Sequence, residues 1–126
     1  MFVKFSFLQV EPGVTVMDFT GRLSMPGILV AEVELTIKKQ IERGAKKLVL
    51  DVSKVDFLDS SGVGMLAVCS GAMKEAAGTM VIAGASGIVK KVLETAGLPR
   101  IMGMYPDLAS ACAALGVPHS EPAPPV

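Results

Sequence analysis

The chain has 126 residues, of which 51% are hydrophobic and 19% are charged. That length suits one domain with one core, and the composition excludes a chain that is disordered throughout. Twelve Lys and Arg residues balance twelve Asp and Glu residues, so no net charge draws the protein to phosphate backbones or to an anionic membrane surface. We therefore expect no nucleic-acid partner.

No segment has the length and apolarity of a membrane span. The uncharged run at residues 60–73 contains three glycines and three serines and falls well short of the roughly 20 apolar residues that a spanning helix needs. The N-terminal segment alternates apolar and polar residues, which is typical of a strand and unlike a secretory signal. We expect a cytoplasmic protein without direct membrane insertion, in which Cys69 and Cys112 stay reduced and pack as small hydrophobic residues.

Two strand-like segments open the chain, at residues 2–8 and 14–20. The turn between them contains Pro12 and Gly13, two residues that favour a reversal of chain direction. This pattern predicts a hairpin.

An amphipathic helix is predicted next, capped by Ser24 and ending at Gly44. Its apolar stripe repeats at helical spacing opposite a charged face and consists of Val30, Val33, Ile37 and Ile41. The sequence KLVLD at residues 47–51 then predicts a short buried strand.

Helices and strands alternate through the rest of the body. The predicted elements are a helix at 60–77, a strand at 79–83, a helix capped by Ser86 and stopped by Gly97, a strand at 101–105, and a helix capped by Asp107 and ended by Gly116. A hairpin followed by this alternation predicts an α/β fold, a mixed β-sheet with about four helices packed on it.

The C-terminal end has a different composition from the body. Four of the eight prolines lie within residues 117–126, where they prevent regular hydrogen-bonded structure. We therefore assign residues 1–116 to the folded domain and residues 117–126 to a flexible Pro-rich tail that should be dispensable for stability and for partner binding.

The most informative stretch is DVSKVDFLDSSGVG at residues 51–64, where a buried strand leads through acidic residues into a helix. Ser60 falls at the N-cap or in the first turn, where a hydroxyl can accept from free backbone N–H groups. Gly62 and Gly64 lack the side chains that would keep another backbone at a distance. By themselves these residues also fit a capping serine with glycines for close packing.

The helix that follows has no charged residue between positions 60 and 73. A surface helix normally has a polar outer face, so an uncharged one predicts an apolar patch, including Met65, that contacts another protein. The alternative is that the other helices of the same chain cover it.

Five segments together carry a resemblance to a known family: TGRLS at 20–24, KLVLD at 47–51, VDFLDSSGVG at 55–64, GTMVIAGAS at 78–86 and AGLPRI at 96–101. In this order they resemble the STAS domains, and within them the anti-sigma factor antagonists, also called anti-anti-sigma factors. The resemblance extends from about residue 2 to residue 115.

The resemblance implies a binding module that has no catalytic activity and no cofactor. Its unphosphorylated form would capture an anti-sigma factor that is also a serine protein kinase, and so release a sigma factor for transcription. Phosphorylation of the first serine of DSSG, Ser60, would end the capture, and a serine phosphatase would reverse it. The residues expected at the partner surface are Arg22, Ser24, Asp59, Ser60, Ser61, Gly62, Val63, Gly64 and Met65.

Two features depart from the family pattern or leave it open. Many relatives carry Asp after Gly-Arg-Leu, where this chain has Ser24, so a contact made by that acid is expected to be missing. Ser61 also offers a hydroxyl and is the alternative phosphorylation site.

Other chemistries lack the residues that they require. A serine hydrolase needs a base, and the only histidine, His119, lies in the tail. A hard-cation site at Asp51, Asp56 and Asp59 would lack a compact acidic loop, so we expect no metal. Because STAS domains also occur as cytoplasmic accessory parts of anion and lipid transporters, an accessory subunit of that kind is the alternative function.

Overall fold

The computed structural model describes residues 4–23 and 27–117, with the backbone alone at residues 27–29. The elements in chain order are β1 (Lys4–Glu11), β2 (Val14–Leu23), α1 (Gly27–Glu42), β3 (Lys47–Leu58), α2 (Ser60–Glu75), β4 (Thr79–Ala83), α3 (Gly87–Thr95), a 3₁₀ turn (Leu98–Arg100), β5 (Gly103–Tyr105) and α4 (Leu108–Leu115). Across residues 4–23 and 27–117, no helix is both long and apolar enough to cross a bilayer.

The five strands form one sheet in the order β1-β2-β3-β4-β5. β1 and β2 are antiparallel, which confirms the predicted hairpin, and every later pair is parallel. The parallel strands direct their carboxyl ends to one edge of the sheet, where α2 and α3 begin. The predicted α/β architecture, a mixed sheet with four helices, is confirmed.

β2 and β3 are longer than the sequence predicts. β3 continues past Asp51 to Leu58, and β2 continues to Leu23, so that the two strands pair beyond the point where β4 stops. β3 is flanked by β4 only up to Asp51. Among the described residues, β1 flanks β2 only as far as Thr20, so residues 21–23 of β2 and 55–58 of β3 pair with each other alone.

Side chains alternate along the strands between a larger and a smaller core. On one face, α1, α2 and α3 pack on residues such as Leu48 and Leu50. On the other face, α4 packs on residues such as Val49 and Val81. Val117, the first residue assigned to the tail, is buried in the smaller core. Residues 118–126 lie outside the described part of the chain.

Both cysteines are buried and unpaired, as predicted from their apolar helical surroundings. Burial raises the pKa of the Cys69 thiol from 9.0 to about 12, and the nearby Glu34 carboxylate acts in the same direction. Burial also raises the pKa of Cys112.

We expect Cys69 to be inert to thiol reagents in the native protein. With a pKa near 12, its thiolate fraction at neutral pH is on the order of a thousandfold below that of a free cysteine, and the thiolate is the reactive form. Colorimetric thiol titration should give no rapid reaction of the native protein and two equivalents after denaturation in urea. Rapid native modification of Cys69, located by peptide mapping, would show that the α2 core opens readily.

Candidate functional site

The candidate site lies where β2 and β3 end and α2 begins. The backbone N–H of Asp59 donates to the Leu23 carbonyl at 3.3 Å and ties the two strand ends together. In the parallel pairing of β2 with β3, Arg22 lies opposite Phe57. The guanidinium carbon of Arg22 is 4.5 Å from the centroid of the Phe57 ring. This cation–π contact holds the exposed Arg22 against the end of the sheet.

Asp59, and not Ser60, supplies the N-cap side chain of α2. Its carboxylate accepts from the backbone N–H groups of Ser61 at 2.9 Å and Gly62 at 3.3 Å. It also accepts from the Ser61 hydroxyl at 2.5 Å. A carboxylate at this position satisfies free amides at the helix start and complements the positive end of the helix dipole.

Ser60 is therefore left with its side chain at the surface. It is the first residue of α2 and is exposed, whereas Ser61 is half-buried and bonded to Asp59. The sequence placed Ser60 correctly in the first turn, but the capping role expected of its hydroxyl belongs to the preceding carboxylate.

An apolar groove of about 420 Å³ runs from Ser60 along the space between α2 and α3. Its lining residues are Ser60, Val63, Ile88, Lys91, Val92, Thr95 and Ala96. Of these described lining residues, Lys91 alone carries a charge. A large apolar side chain, Ile88, stays more than half exposed at the start of α3.

The α3 wall of this groove is the part that sequence reasoning missed. Neither Ile88 nor Lys91 is among the partner residues that the sequence predicts. A signal was present in the sequence, since Ile88 is a large apolar residue next to Val89, which with Leu93 is buried on the inner face of α3. Nothing in the sequence, however, indicates that this part of α3 lies against the start of α2.

Two of the predicted partner residues are buried within this chain. Met65 is only 2% exposed and packs in the larger core, because α1 lies across α2. Gly62 is also buried, and the backbone that approaches it is this chain's own Leu23. The close backbone approach inferred for Gly62 exists, but the approaching backbone belongs to the same chain and not to a partner. The alternative, that other helices of the chain cover α2, holds for Met65, whereas Gly62 is covered by the strand ends at Leu23 and Leu58.

The other predicted partner residues lie in the groove wall, at the surface of α2 or outside the described residues. Val63 is half-buried in the groove wall, and Gly64 is exposed on the outer side of α2. The predicted cap Ser24 lies outside the described residues.

Asp51, one of the acidic residues considered for a metal site, accepts from the backbone N–H of Ser53 at 3.0 Å. Within residues 4–23 and 27–117, no three His, Cys, Asp or Glu side chains are grouped as a metal ion would require.

The family model of the STAS domain matches residues 8–111, which include the second half of β1, all of β2 and the site. The chain belongs to the STAS domain family. The predicted resemblance to STAS domains is confirmed.

Solved structures with the same fold include anti-sigma factor antagonists and a transporter domain. SpoIIAA, an antagonist, matches in its unphosphorylated form with a TM-score of 0.76 and 23% identity, covering 92% of this chain and 100% of that one. SpoIIAA of Bacillus in its phosphorylated form gives a TM-score of 0.71 and 24% identity, with 89% and 99% covered.

An anti-sigma factor antagonist from Mycobacterium paratuberculosis gives a TM-score of 0.78 and 24% identity over 90% of this STAS domain chain and 94% of that one. The STAS domain of a SulP transporter from Vibrio cholerae gives 0.64 and 21%, with 84% of each chain covered. The fold is thus shared by antagonists and by transporter domains.

Proposed function

We propose that this STAS domain is an anti-sigma factor antagonist that acts in the cytoplasm as a binding module, switched by phosphorylation of Ser60. The observation that carries the proposal is the position of that hydroxyl. Ser60 is exposed at the mouth of an apolar groove, at the start of a helix whose cap is provided by another residue. A kinase can reach this hydroxyl without unfolding the helix.

The geometry favours Ser60 over Ser61 as the modified residue. The Ser61 hydroxyl donates to the Asp59 carboxylate at 2.5 Å and is half-buried, so transfer of a phosphoryl group there would break a charge-assisted hydrogen bond. Among the described residues, no side-chain hydrogen bond holds the Ser60 hydroxyl. The family's motif, in which the first serine of DSSG is the switch, agrees with this difference.

The groove between α2 and α3 is the surface that the anti-sigma factor kinase would occupy. Apolar residues from both helices line it, and Lys91 offers one cationic contact at its side. Arg22 and Gly64 lie exposed near the same edge of the fold and can extend the contact. This surface replaces the patch at Met65 that the sequence suggested.

Phosphorylation would change the electrostatics of this groove more than it changes the fold. A phosphoserine carries about −1.5 to −2 charges at neutral pH. The amides of Ser61 and Gly62 already donate to the Asp59 carboxylate. The positive end of the α2 dipole would therefore already be partly neutralised when the phosphate is added. A partner seated on the groove would have to desolvate that charge, and an unpaired buried charge is costly. A serine phosphatase would restore the binding form.

Substitutions at Ser60 should separate binding from folding. We expect Ser60→Asp to weaken partner binding by roughly 30-fold, equivalent to about 2 kcal/mol of unpaired charge at the contact, with an unchanged far-UV spectrum. Ser60→Ala should bind within a few-fold of the native affinity and resist phosphorylation, whereas Ser61→Ala should still be phosphorylated.

The experiment begins with affinity purification of the tagged protein from cells of its source. A copurifying ATP-binding protein is then incubated with the three variants and labelled ATP, and the phosphopeptide is sequenced. Phosphate on Ser61 alone would contradict the assignment of Ser60. Copurification of a membrane transporter in place of a kinase would overturn the proposal and support the accessory-subunit function, which the fold shared with the SulP domain also allows.

A further inference from the structure

Strand β1 forms one edge of the sheet, and among the described residues its outer side pairs with no other strand. An open edge presents unpaired N–H and C=O groups that can pair with a strand from another chain. β1 is eight residues long, contains no proline, and carries charges only at its two ends, Lys4 and Glu11. The opposite edge, β5, is only three residues long. The devices that protect an edge are therefore confined to the ends of β1, where the two charges and a register shift between Gln9 and Glu11 lie.

Apolar side chains flank this edge on both faces of the sheet. Phe7 is 46% exposed beside Gln40 of α1 and Arg43 just after that helix, and Leu8 points to the other face and is 68% exposed. Single exposed apolar residues are common. Here two consecutive ones adjoin an unpaired strand edge, so a strand added to β1 would cover apolar surface on both faces.

We propose that β1 pairs antiparallel with β1 of a second copy of this chain and joins two five-stranded sheets into one of ten strands. The charges at the two ends of β1 favour antiparallel over parallel pairing. Antiparallel pairing centred on Phe7 brings the Lys4 end of each copy to the Glu11 end of the other, so unlike charges meet twice. Parallel pairing in register would place Lys4 against Lys4 and Glu11 against Glu11. The antiparallel pair has a two-fold axis and closes at two copies.

Sedimentation equilibrium of the full chain from about 1 μM to 1 mM tests the proposal. We expect a monomer–dimer equilibrium whose Kd rises at least tenfold in Leu8→Lys. The matched control is Leu35→Lys, since Leu35 lies on α1 and is 55% exposed. That variant should keep the native Kd. A monomer over the whole range, or an equal loss of dimer in both variants, would overturn the proposal.

Charge exchange tests the orientation of the two strands. Lys4→Glu should weaken the dimer severalfold by placing like charges at both ends, and adding Glu11→Lys should restore it. If the double variant does not recover, β1 is not paired antiparallel with its copy. β1 lies at the edge of the sheet far from α3 and from the groove. Dimer formation through β1 and binding of an anti-sigma factor kinase at the groove are therefore measured separately. Either proposal can fail while the other holds.

Discussion

Met65→Lys is expected to abolish the native state. Met65 is 2% exposed among the apolar side chains of α1, α2 and the sheet. A lysine there would either bury an unpaired ammonium group or force α1 away from α2. Either outcome should cost at least about 4 kcal/mol, which is comparable with the whole stability of many small domains. Loss of the far-UV signal and of a cooperative urea transition at 25 °C would be the result.

Val68→Lys is the matched control on the same helix. Val68 is 49% exposed, so its side chain can carry a charge into water with a change in stability of roughly 0.5 kcal/mol or less. A folded Met65→Lys protein with a native unfolding midpoint would contradict the placement of Met65 in the core. It would also restore the surface patch that the sequence suggested for α2.

Periodicity was enough to predict the helix that covers the sheet. The α1 stripe expected from Val33 and Ile37 is confirmed, since both side chains are fully buried in the larger core. The alternation of Val49 with Leu48 and Leu50 similarly places adjacent residues in opposite cores. In these elements each residue's environment follows from the element's own repeat, and one sequence contains that information.

The uncharged helix α2 was misread for a physical reason. Absence of charge indicates that a helix is covered, but it does not identify what covers it. α1 packs across α2 and buries Met65, while Val68 and Gly64 remain at the surface. That choice depends on the crossing of two helices, which no pattern within residues 60–73 contains.

The length of β3 and the groove beside Ser60 depend on tertiary structure in the same way. Residues 52–58 contain the charged Lys54 and Asp56 and resemble a loop, yet they form a strand because the extended end of β2 pairs with them. The groove exists because α3 brings Ile88 and Lys91 beside α2. The motif located the serine, whereas the partner surface around it required the fold.

Gly62 allows the start of α2 to lie close to the ends of β2 and β3. A Cβ at this position would lie 2.5 Å from the Leu23 carbonyl oxygen and 2.5 Å from a Leu58 methyl carbon. The Leu23 carbonyl is fixed, because it accepts from the backbone N–H of Asp59 and its strand pairs with β3. The first turn of α2, with Ser60 in it, can sit this close to the strand ends only if residue 62 is glycine.

Gly62→Ala is therefore expected to destabilise the protein by about 1–3 kcal/mol, the usual cost of forcing one methyl group into a closed contact. Gly64→Ala makes the same change two residues later, where a Cβ meets nothing within 4 Å. It should stabilise the helix by roughly 0.5–1 kcal/mol, since alanine loses less backbone entropy than glycine. Urea unfolding should shift the two midpoints in opposite directions at constant slope. A neutral Gly62→Ala would mean that the start of α2 can move away from β2, and Ser60 would then not be held by the strand ends.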